Sequence, residues 1–169
     1  MSGSVRIQRV DHTQERVARE IHAVQMSAYV QEAKLLGAVY FPPLLRTVAD
    51  VRTCGEEFFV AYVVDELVAG ISVSPDPEGM GRNIASLVVA PPFQRRGIAS
   101  SLMAEVLLRY GASILTVQTG AKNTPALSLY TQAGFAEFRR WLVGREPLEL
   151  VKLRRLPQSD AQPGARASE

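Results

Sequence analysis

The stretch QRRGIASSLM, residues 94–103, places two arginines and a glycine directly in front of an amphipathic segment. Apolar residues recur there at helical spacing, which predicts a helix that starts near Ile98. The preceding run IASLVVAP, residues 84–91, is apolar enough for a central strand. The first turn of a helix has N–H groups without intrahelical partners and carries the positive end of the helix dipole, so it attracts anions. Strand, basic glycine loop and helix together predict a pyrophosphate-binding site.

The side chains of this loop suit the same purpose. Gly97 lets a ligand approach the backbone closely, and Arg95 and Arg96 add positive charge where a phosphate would sit. Two other phosphate loops are excluded. The sequence contains no G-x-x-x-x-G-K-[ST] motif, and GMGRNI, residues 79–84, lacks the third glycine of a dinucleotide fingerprint and precedes a strand.

Length and composition limit the remaining possibilities. A chain of 169 residues suits one domain, which we predict over residues 1–156, followed by a tail at 157–169 that lacks large apolar residues and is predicted to be disordered. The single cysteine, Cys54, and two histidines do not make a typical structural zinc site, so no metal is predicted. The net charge of +2 is modest for a nucleic-acid-binding protein. Without a long apolar segment, a cytoplasmic protein with no membrane association is expected.

The order of elements predicts a mixed α/β fold with about seven strands and about four helices on the faces of one sheet. A strand over residues 5–10 leads to a helix that Asp11 or Thr13 can cap, and a short helix is expected at 44–51. The strand–helix–strand unit over 84–119 should be a right-handed parallel crossover. A later helix has Asn123 at its N-cap.

Two motifs in sequence order resemble the GCN5-related N-acetyltransferase (GNAT) family. They are Q-x-x-G-x-A at 94–99 and N-x-x-A-x-x-x-Y-x-x-x-G-F at 123–135. The resemblance implies a GNAT-like fold with a mixed, mostly antiparallel sheet. It also implies an enzyme that transfers an acetyl group from acetyl-CoA (coenzyme A as co-substrate) to a primary amine by direct attack.

The resemblance also implies roles for individual residues. Tyr130 would donate a proton to the departing thiolate, and the amide near Leu87 would stabilise the oxyanion. The backbone of Val88 and Val89 would pair with the pantetheine arm, and Ser101 is an alternative to Ser100 as a hydroxyl donor. The implied coenzyme A contacts are Val88, Val89, Gln94, Arg95, Arg96, Gly97, Ile98, Ala99, Ser100 and Asn123.

Structural roles remain open for several of these residues. Asn123 serves equally well as a helix cap alone, and Arg95 and Arg96 as solvated surface charges. Tyr130 continues an apolar helix stripe and could be a core residue, although a buried tyrosine needs a partner for its hydroxyl.

The acceptor and the general base are the least defined parts of the site. The stretch VYFPPLL, residues 39–45, lies where the family builds its acceptor pocket, so Tyr40 and Phe41 are candidates for lining it. Many relatives carry a Glu or His base on the strand before the loop. Alternation back from Val89 gives Leu87, Ala85 and Asn83, none of which accepts a proton at neutral pH. Glu32, Glu56, Glu57 or a water relay are the alternatives.

Other functions stay open beside acetyl transfer. A non-catalytic acyl-CoA-binding sensor or scaffold would fit the missing base. Acetylation of a charged tRNA would need a strongly basic face, which the modest charge does not favour. The expected partners are a small-molecule or peptide amine and, as in many family members, a second copy of the chain in a homodimer.

Overall fold

The computed structural model describes residues 3–158 of the chain. Apart from Pro157 and Gln158, the tail predicted from the sequence lies outside the described residues. The strands are Val5–Val10 (β1), Glu57–Val63 (β2), Glu66–Pro75 (β3), Arg82–Val89 (β4), Leu115–Gly120 (β5), Ala136–Val143 (β6) and Leu148–Arg155 (β7). The α-helices are Glu15–Leu36 (α1), Val48–Thr53 (α2), Ile98–Tyr110 (α3) and Thr124–Gln132 (α4), with short 3₁₀ turns at Pro42–Leu45 and Pro91–Phe93.

One sheet with the order β1-β2-β3-β4-β5-β7-β6 forms the centre of the molecule. Within residues 3–158, the β4–β5 pair is parallel and all other neighbours are antiparallel. The parallel pair is joined through α3, as expected for a crossover connection. The predicted mixed, mostly antiparallel seven-stranded fold is therefore confirmed.

The two faces of the sheet carry separate apolar layers. On one face, α3 buries Ile98, Leu102, Met103 and Val106 against the central strands, and Tyr130 of α4 joins this layer. On the other face, α1 lies over β3 and β4, and its apolar stripe, which includes Val17, Ile21 and Val24, packs into a cluster with side chains of β2, β3 and β4. Each helix thus buries one stripe and exposes the rest, which is the pattern that the helical periodicity predicts.

The β4–β5 pair opens into a wedge. Its parallel register covers only three residue pairs, from Arg82↔Leu115 to Ile84↔Val117. Beyond Ile84, β4 remains paired with β3 as far as Val89, and β5 continues to Gly120 beside β7. Each strand therefore presents an unpaired edge to the wedge, where a ligand can form main-chain hydrogen bonds.

A bulge at the start of the wedge corrects the predicted faces of β4. The register passes from Ser72↔Ser86 to Val73↔Ile84, which leaves Ala85 as the extra residue of β4. An extra residue reverses the alternation of side chains on its two sides. Ile84 and Leu87 consequently share the α3 face, whereas Asn83, which the simple alternation places with Leu87, lies beside Thr116 on the opposite face.

Helix α1 differs from the expectation at its N-terminus. Gln14 is the N-cap and makes no side-chain cap, whereas the Asp11 carboxylate accepts hydrogen bonds from the amide and hydroxyl of Thr13 in the turn before it. The predicted short helix at 44–51 is also corrected, because the prolines confine one turn to Pro42–Leu45 and a separate capping box at Thr47 starts α2.

No helix within residues 3–158 is both long and apolar enough to cross a membrane.

Candidate active site

The loop between β4 and α3 has the backbone shape of an anion-binding nest. Arg95 and Gly97 adopt left-handed conformations, with φ of 61° and 78°, on either side of Arg96. The step from left-handed Gly97 to right-handed Ile98, the first residue of α3, turns successive N–H groups toward one point. The side chains of Arg95 and Arg96 are exposed beside this point. The loop therefore combines converging amides with two positive charges.

The first turn of α3 provides more donors. Gly97 is the N-cap and has no side chain to satisfy the amides that follow, and the first helical hydrogen bond runs from Ser101 N to Gly97 O. A Cβ placed on Gly97 would meet no atom within 4 Å, so the space beside these amides is open. These features fit a bound pyrophosphate. Both Ser100 and Ser101 are exposed, but the Ser101 hydroxyl donates to Gly97 O, so Ser100 is the better candidate for a hydroxyl contact to a ligand.

Gln94 connects this loop to two other elements. Its Nε2 donates to Val89 O at 3.0 Å and to Gln31 Oε1 of α1 at 2.6 Å. The bond to Val89 O also shows that this carbonyl points away from β3. In an antiparallel strand, successive residues direct their N–H and C=O groups alternately to one neighbouring strand and to the other side. Ala90 N donates to Val68 O, so the peptide groups of Ala90 face β3 and those of Val89 do not. The peptide groups of Leu87 and Val89 thus face the wedge, whereas those of Val88 lie on the β3 side.

Helix α4 follows β5 and forms the wall of the wedge opposite the β4–α3 loop. Asn123 caps it by accepting from Ala126 N at 3.3 Å, as the sequence predicts, and Pro125 lies in its first turn. Tyr130 is 5% exposed, and its ring packs against Phe135. Burial raises the pKa of the Tyr130 phenol well above its ordinary value, and the charge of Glu32 adds to this. The phenol is therefore protonated at neutral pH and can act as a proton donor.

Glu32, near the end of α1, lies between the two walls. Asn123 Nδ2 is 3.4 Å from both Glu32 Oε1 and Thr119 Oγ1. Burial raises the pKa of the Glu32 carboxyl, and the hydrogen bond from Asn123 offsets only part of this effect. No salt bridge within residues 3–158 involves this carboxylate. Glu32 is thus a half-buried acid that lacks a cationic partner within the described chain.

A second polar cluster lies beneath α1 on the same face of the sheet. Arg46 forms a 2.7 Å ion pair with Glu56, the other oxygen of Glu56 accepts from Ser72 Oγ, and Ser72 Oγ is 2.6 Å from Ser86 Oγ on β4. Burial alone would raise the pKa of Glu56, but the hydrogen bonds from Arg46 and Ser72 hold it below its ordinary value. Glu56 therefore remains ionised and is a poor proton acceptor.

Tyr29 links the two clusters. Burial raises its pKa to about 12, with Arg46 acting against this shift and the charges of Glu32 and Glu56 adding to it. Its ring meets Phe41 edge-on, with centroids 6.1 Å apart. Of the two predicted pocket residues, Phe41 therefore packs on this tyrosine, while Tyr40 is 69% exposed beside it.

The structure places the third candidate base elsewhere. Glu57 accepts a hydrogen bond from Tyr110 of α3 and lies 3.6 Å from Arg9 of β1, on the α3 side of the sheet. The two histidines lie outside the wedge, where His12 and His22 contact the carbonyls of Cys54 and Arg46. Within residues 3–158 no group of three or more His, Cys, Asp or Glu side chains is arranged to hold a metal ion.

Sequence reasoning did not identify Tyr29, Arg46, Ser72 or Ser86. No motif contains them, and their contacts join segments that are distant in the chain. The usable signal was that Ser72 and Ser86 each stand between two apolar residues of a strand, because buried hydroxyls need partners.

A parallel strand pair that separates beside a basic loop and a helix N-terminus is the arrangement that the resemblance to the GNAT acyltransferases implies. Residues 18–135 match the model of the acetyltransferase (GNAT) family, and the chain belongs to this family.

Individual relatives extend this comparison. The chain is 36% identical over 130 residues to the UPF0157 protein YqkA of Bacillus subtilis (strain 168), a match that covers 76% of this chain and 37% of that protein. The chain therefore spans well under half the length of this relative.

Solved structures share the fold. The ribosomal-protein-S18-alanine N-acetyltransferase from Escherichia coli has a TM-score of 0.69 at 15% identity, with 96% of this chain and 99% of that chain covered. The PaiA N-acetyltransferase from Thermoplasma acidophilum, solved in complex with coenzyme A, has a TM-score of 0.67 at 11% identity, with 90% and 99% covered.

Proposed function

We propose that the protein is an N-acetyltransferase that transfers the acetyl group of acetyl-CoA to a primary amine. The observation that carries this proposal is the position of the Arg95–Gly97 nest at the mouth of the β4–β5 wedge, with the protonated Tyr130 phenol on the wall of the same wedge. Family membership and the coenzyme A complex of a structural neighbour support the choice of cofactor.

The chain's own groups supply binding and orientation. The amides at the start of α3, with Arg95 and Arg96, would hold the pyrophosphate. The free edge of β4 at Val89 would pair with the pantetheine arm as an added strand. Because Val88 directs its peptide groups to β3, Val89 and Leu87 are the better candidates for contacts inside the wedge. These contacts would fix the thioester next to the acceptor amine, which lowers the entropic cost of the reaction.

Two groups would act on the reacting atoms. The Leu87 amide faces the wedge and would donate a hydrogen bond to the thioester oxygen as negative charge develops on it. The Tyr130 hydroxyl would protonate the departing sulfur. None of the hydrogen bonds within residues 3–158 engages this hydroxyl, so its proton is available to a ligand.

The acceptor amine would enter from the side of α1 and the 39–45 segment. Val39, Tyr40 and Leu45 of this segment have exposed side chains, which would give the entrance an apolar border. One structural neighbour acts on an alanine of a ribosomal protein, as its name states. Peptide amino groups are therefore included with small amines among the acceptors to be assayed.

Acetyl transfer to a panel of amines tests the proposal. The purified protein is incubated with acetyl-CoA and small amines, amino acids or peptides, and both free thiol and the acetylated product are measured by mass spectrometry. Stoichiometric thiol and acetylated amine are expected. Tight binding of acetyl-CoA without transfer to any amine class would instead support a sensor or scaffold, a role that the lack of a base on β4 also fits.

A further inference from the structure

The end of α1 spans the wedge and contacts both of its walls. Gln31 accepts from Gln94 of the anion-binding loop at 2.6 Å, and the next residue, Glu32, accepts from Asn123 at the start of α4 at 3.4 Å. Leu36 packs so closely on Gly120, at the end of β5, that a Cβ there would lie 2.5 Å from its Cδ2. These contacts fix the Glu32 carboxylate over the gap between the strands.

The other two acidic candidates are committed to different contacts. Glu56 pairs with Arg46 and accepts from Ser72, and Glu57 lies across the sheet beside Tyr110 and Arg9. Within the described chain, the groups that face Glu32 are neutral. They are the amide of Asn123 and the protonated phenols of Tyr29 and Tyr130. Glu32 alone among the three is thus a carboxylate that faces the wedge without a compensating cation.

An uncompensated, half-buried carboxylate in a cleft suits a cationic ligand, because desolvation of such a charge is unfavourable unless an opposite charge approaches it. An alkylammonium ion supplies that charge and up to three N–H donors. The Tyr29 phenol is close enough for the charge of Glu32 to act on it, and its ring, with the Phe41 ring packed edge-on against it, would offer an apolar contact for the carbon next to the ammonium group.

Resting on the proposed acetyl transfer, we propose that Glu32 binds the ammonium group of the acceptor and takes one proton from it. The freed amine nitrogen then forms its bond to the thioester carbonyl carbon while the carbon–sulfur bond breaks. Tyr130 gives its proton to the sulfur and regains one from the nitrogen, which keeps its last hydrogen in the amide. Glu32 releases its proton to water, so one proton leaves per turnover.

Glu32→Gln tests this role, because it keeps the size of the side chain and removes the proton acceptor. The variant should lose about 100-fold or more in kcat/KM at neutral pH. The deficit should shrink as the pH approaches the pKa of the acceptor amine, where the amine needs no base. The pH profile of kcat/KM should then be measured with two acceptors whose amine pKa values differ by about two units. In Glu32→Gln the inflection should move with the pKa of the acceptor, whereas in the wild type it should stay at one pH for both acceptors. Glu32→Asp should recover part of the activity.

Glu20→Gln is the matched control, since it makes the same change on the same helix about three turns earlier, away from the wedge. It should leave the pH profile of the wild type unaltered. Circular dichroism should report equal folding for both variants.

A second readout does not depend on turnover. With ¹³C-labelled glutamate, the carboxyl resonance that disappears in Glu32→Gln should titrate at higher pH than the exposed glutamates, and it should shift when an alkylammonium acceptor is added. The role of Glu32 would be overturned if that resonance titrated together with those of the exposed glutamates and did not respond to the amine. It would also be overturned if Glu32→Gln kept the pH profile of the wild type. A protein that acetylates no amine yet shows this titration would instead refute the proposed function and leave an ammonium-binding carboxylate.

Discussion

At Gly97 both the backbone conformation and the space around the residue disfavour a side chain in the proposed cofactor site. The residue has φ of 78°, and a Cβ would project into open space beside the first amides of α3. A side chain there is therefore strained by the backbone and also fills the position where a pyrophosphate would sit.

Gly97→Glu should weaken acetyl-CoA binding at least 100-fold, because its carboxylate would meet the pyrophosphate. Gly97→Gln is the matched control, as it imposes the same strain and bulk without the charge. It should bind at least about tenfold more tightly than Gly97→Glu, and the gap between them should narrow as salt is added. Calorimetry measures both affinities. Wild-type affinity in Gly97→Glu would contradict the assignment of this loop.

Tyr130 combines a packed ring with a hydroxyl that no hydrogen bond within residues 3–158 engages. Tyr130→Phe keeps the contact with Phe135 and removes the proton donor, so kcat should fall by about 100-fold with little change in cofactor affinity. Tyr62→Phe, on the outer part of β2, should leave kcat unchanged. If Tyr130→Phe retains full kcat, the tyrosine acts in packing alone.

At the scale of elements, the β2–β3 hairpin stores strain in its turn. Val64 lies in the two-residue connection with φ of 57°, and its side chain is 73% exposed. A β-branched residue in the left-handed region loses of the order of 1–2 kcal/mol, and exposure leaves little packing to offset this.

Val64→Asn should therefore raise the free energy of unfolding by about 1 kcal/mol, because asparagine tolerates left-handed backbone and initiates hairpin turns. For a domain of this size the expected rise in Tm is about 2–4 °C, measured by calorimetry. Val39→Asn is the control, because it makes the same substitution at an exposed valine whose φ is not positive. It should not raise the Tm. An unchanged or lower Tm in Val64→Asn would mean that Val64 makes compensating contacts.

At the scale of the whole molecule, one buried ion pair ties the β3–β4 loop to the far half of the sheet. Asp76 accepts from Thr116 of β5 and from the amides of Glu78 and Met80, and Lys152 Nζ of β7 lies 3.0 Å from its carboxylate. The Asp76 side chain is fully buried. Burial alone would raise its pKa, but these hydrogen bonds lower the pKa to about 2 from the ordinary value of 3.8.

A carboxyl group whose pKa is lowered by folding stabilises the folded protein at any pH above its unfolded-state pKa. This stabilisation is lost as the pH falls through the pKa of the folded state. Between pH 4 and pH 2 the wild type should therefore lose about 2 kcal/mol more unfolding free energy than Asp76→Asn. At neutral pH, Asp76→Asn should itself be destabilised by about 3 kcal/mol, since the buried Lys152 keeps only the half-exposed Glu78, 3.5 Å away, as a charged partner. Urea unfolding across this pH range measures both effects.

Asp65→Asn is the control for that experiment, as it neutralises an exposed aspartate. It should follow the wild-type pH dependence. Parallel curves for wild type and Asp76→Asn would show that Asp76 contributes nothing to acid sensitivity.

The sequence by itself determined the order of elements, the helix that starts at Ile98 and the cap at Asn123. These features depend on local physics: periodicity, glycine conformation and side-chain-to-backbone bonds within a few residues. The family motifs have the same local character, so the loop proposed to bind the pyrophosphate and Tyr130 could be located without coordinates.

Only the tertiary structure decided the faces of β4 and the choice among the acidic residues. The bulge at Ala85 reverses an alternation that sequence counting assumes to be regular. Glu32 and Asn123 are 91 residues apart, and Gln31 and Gln94 are 63 apart. Whether a glutamate meets a cation, an amide or open space depends on how α1 crosses the sheet, and the chemistry of these carboxylates is set by those distant neighbours rather than by the residues beside them in the chain.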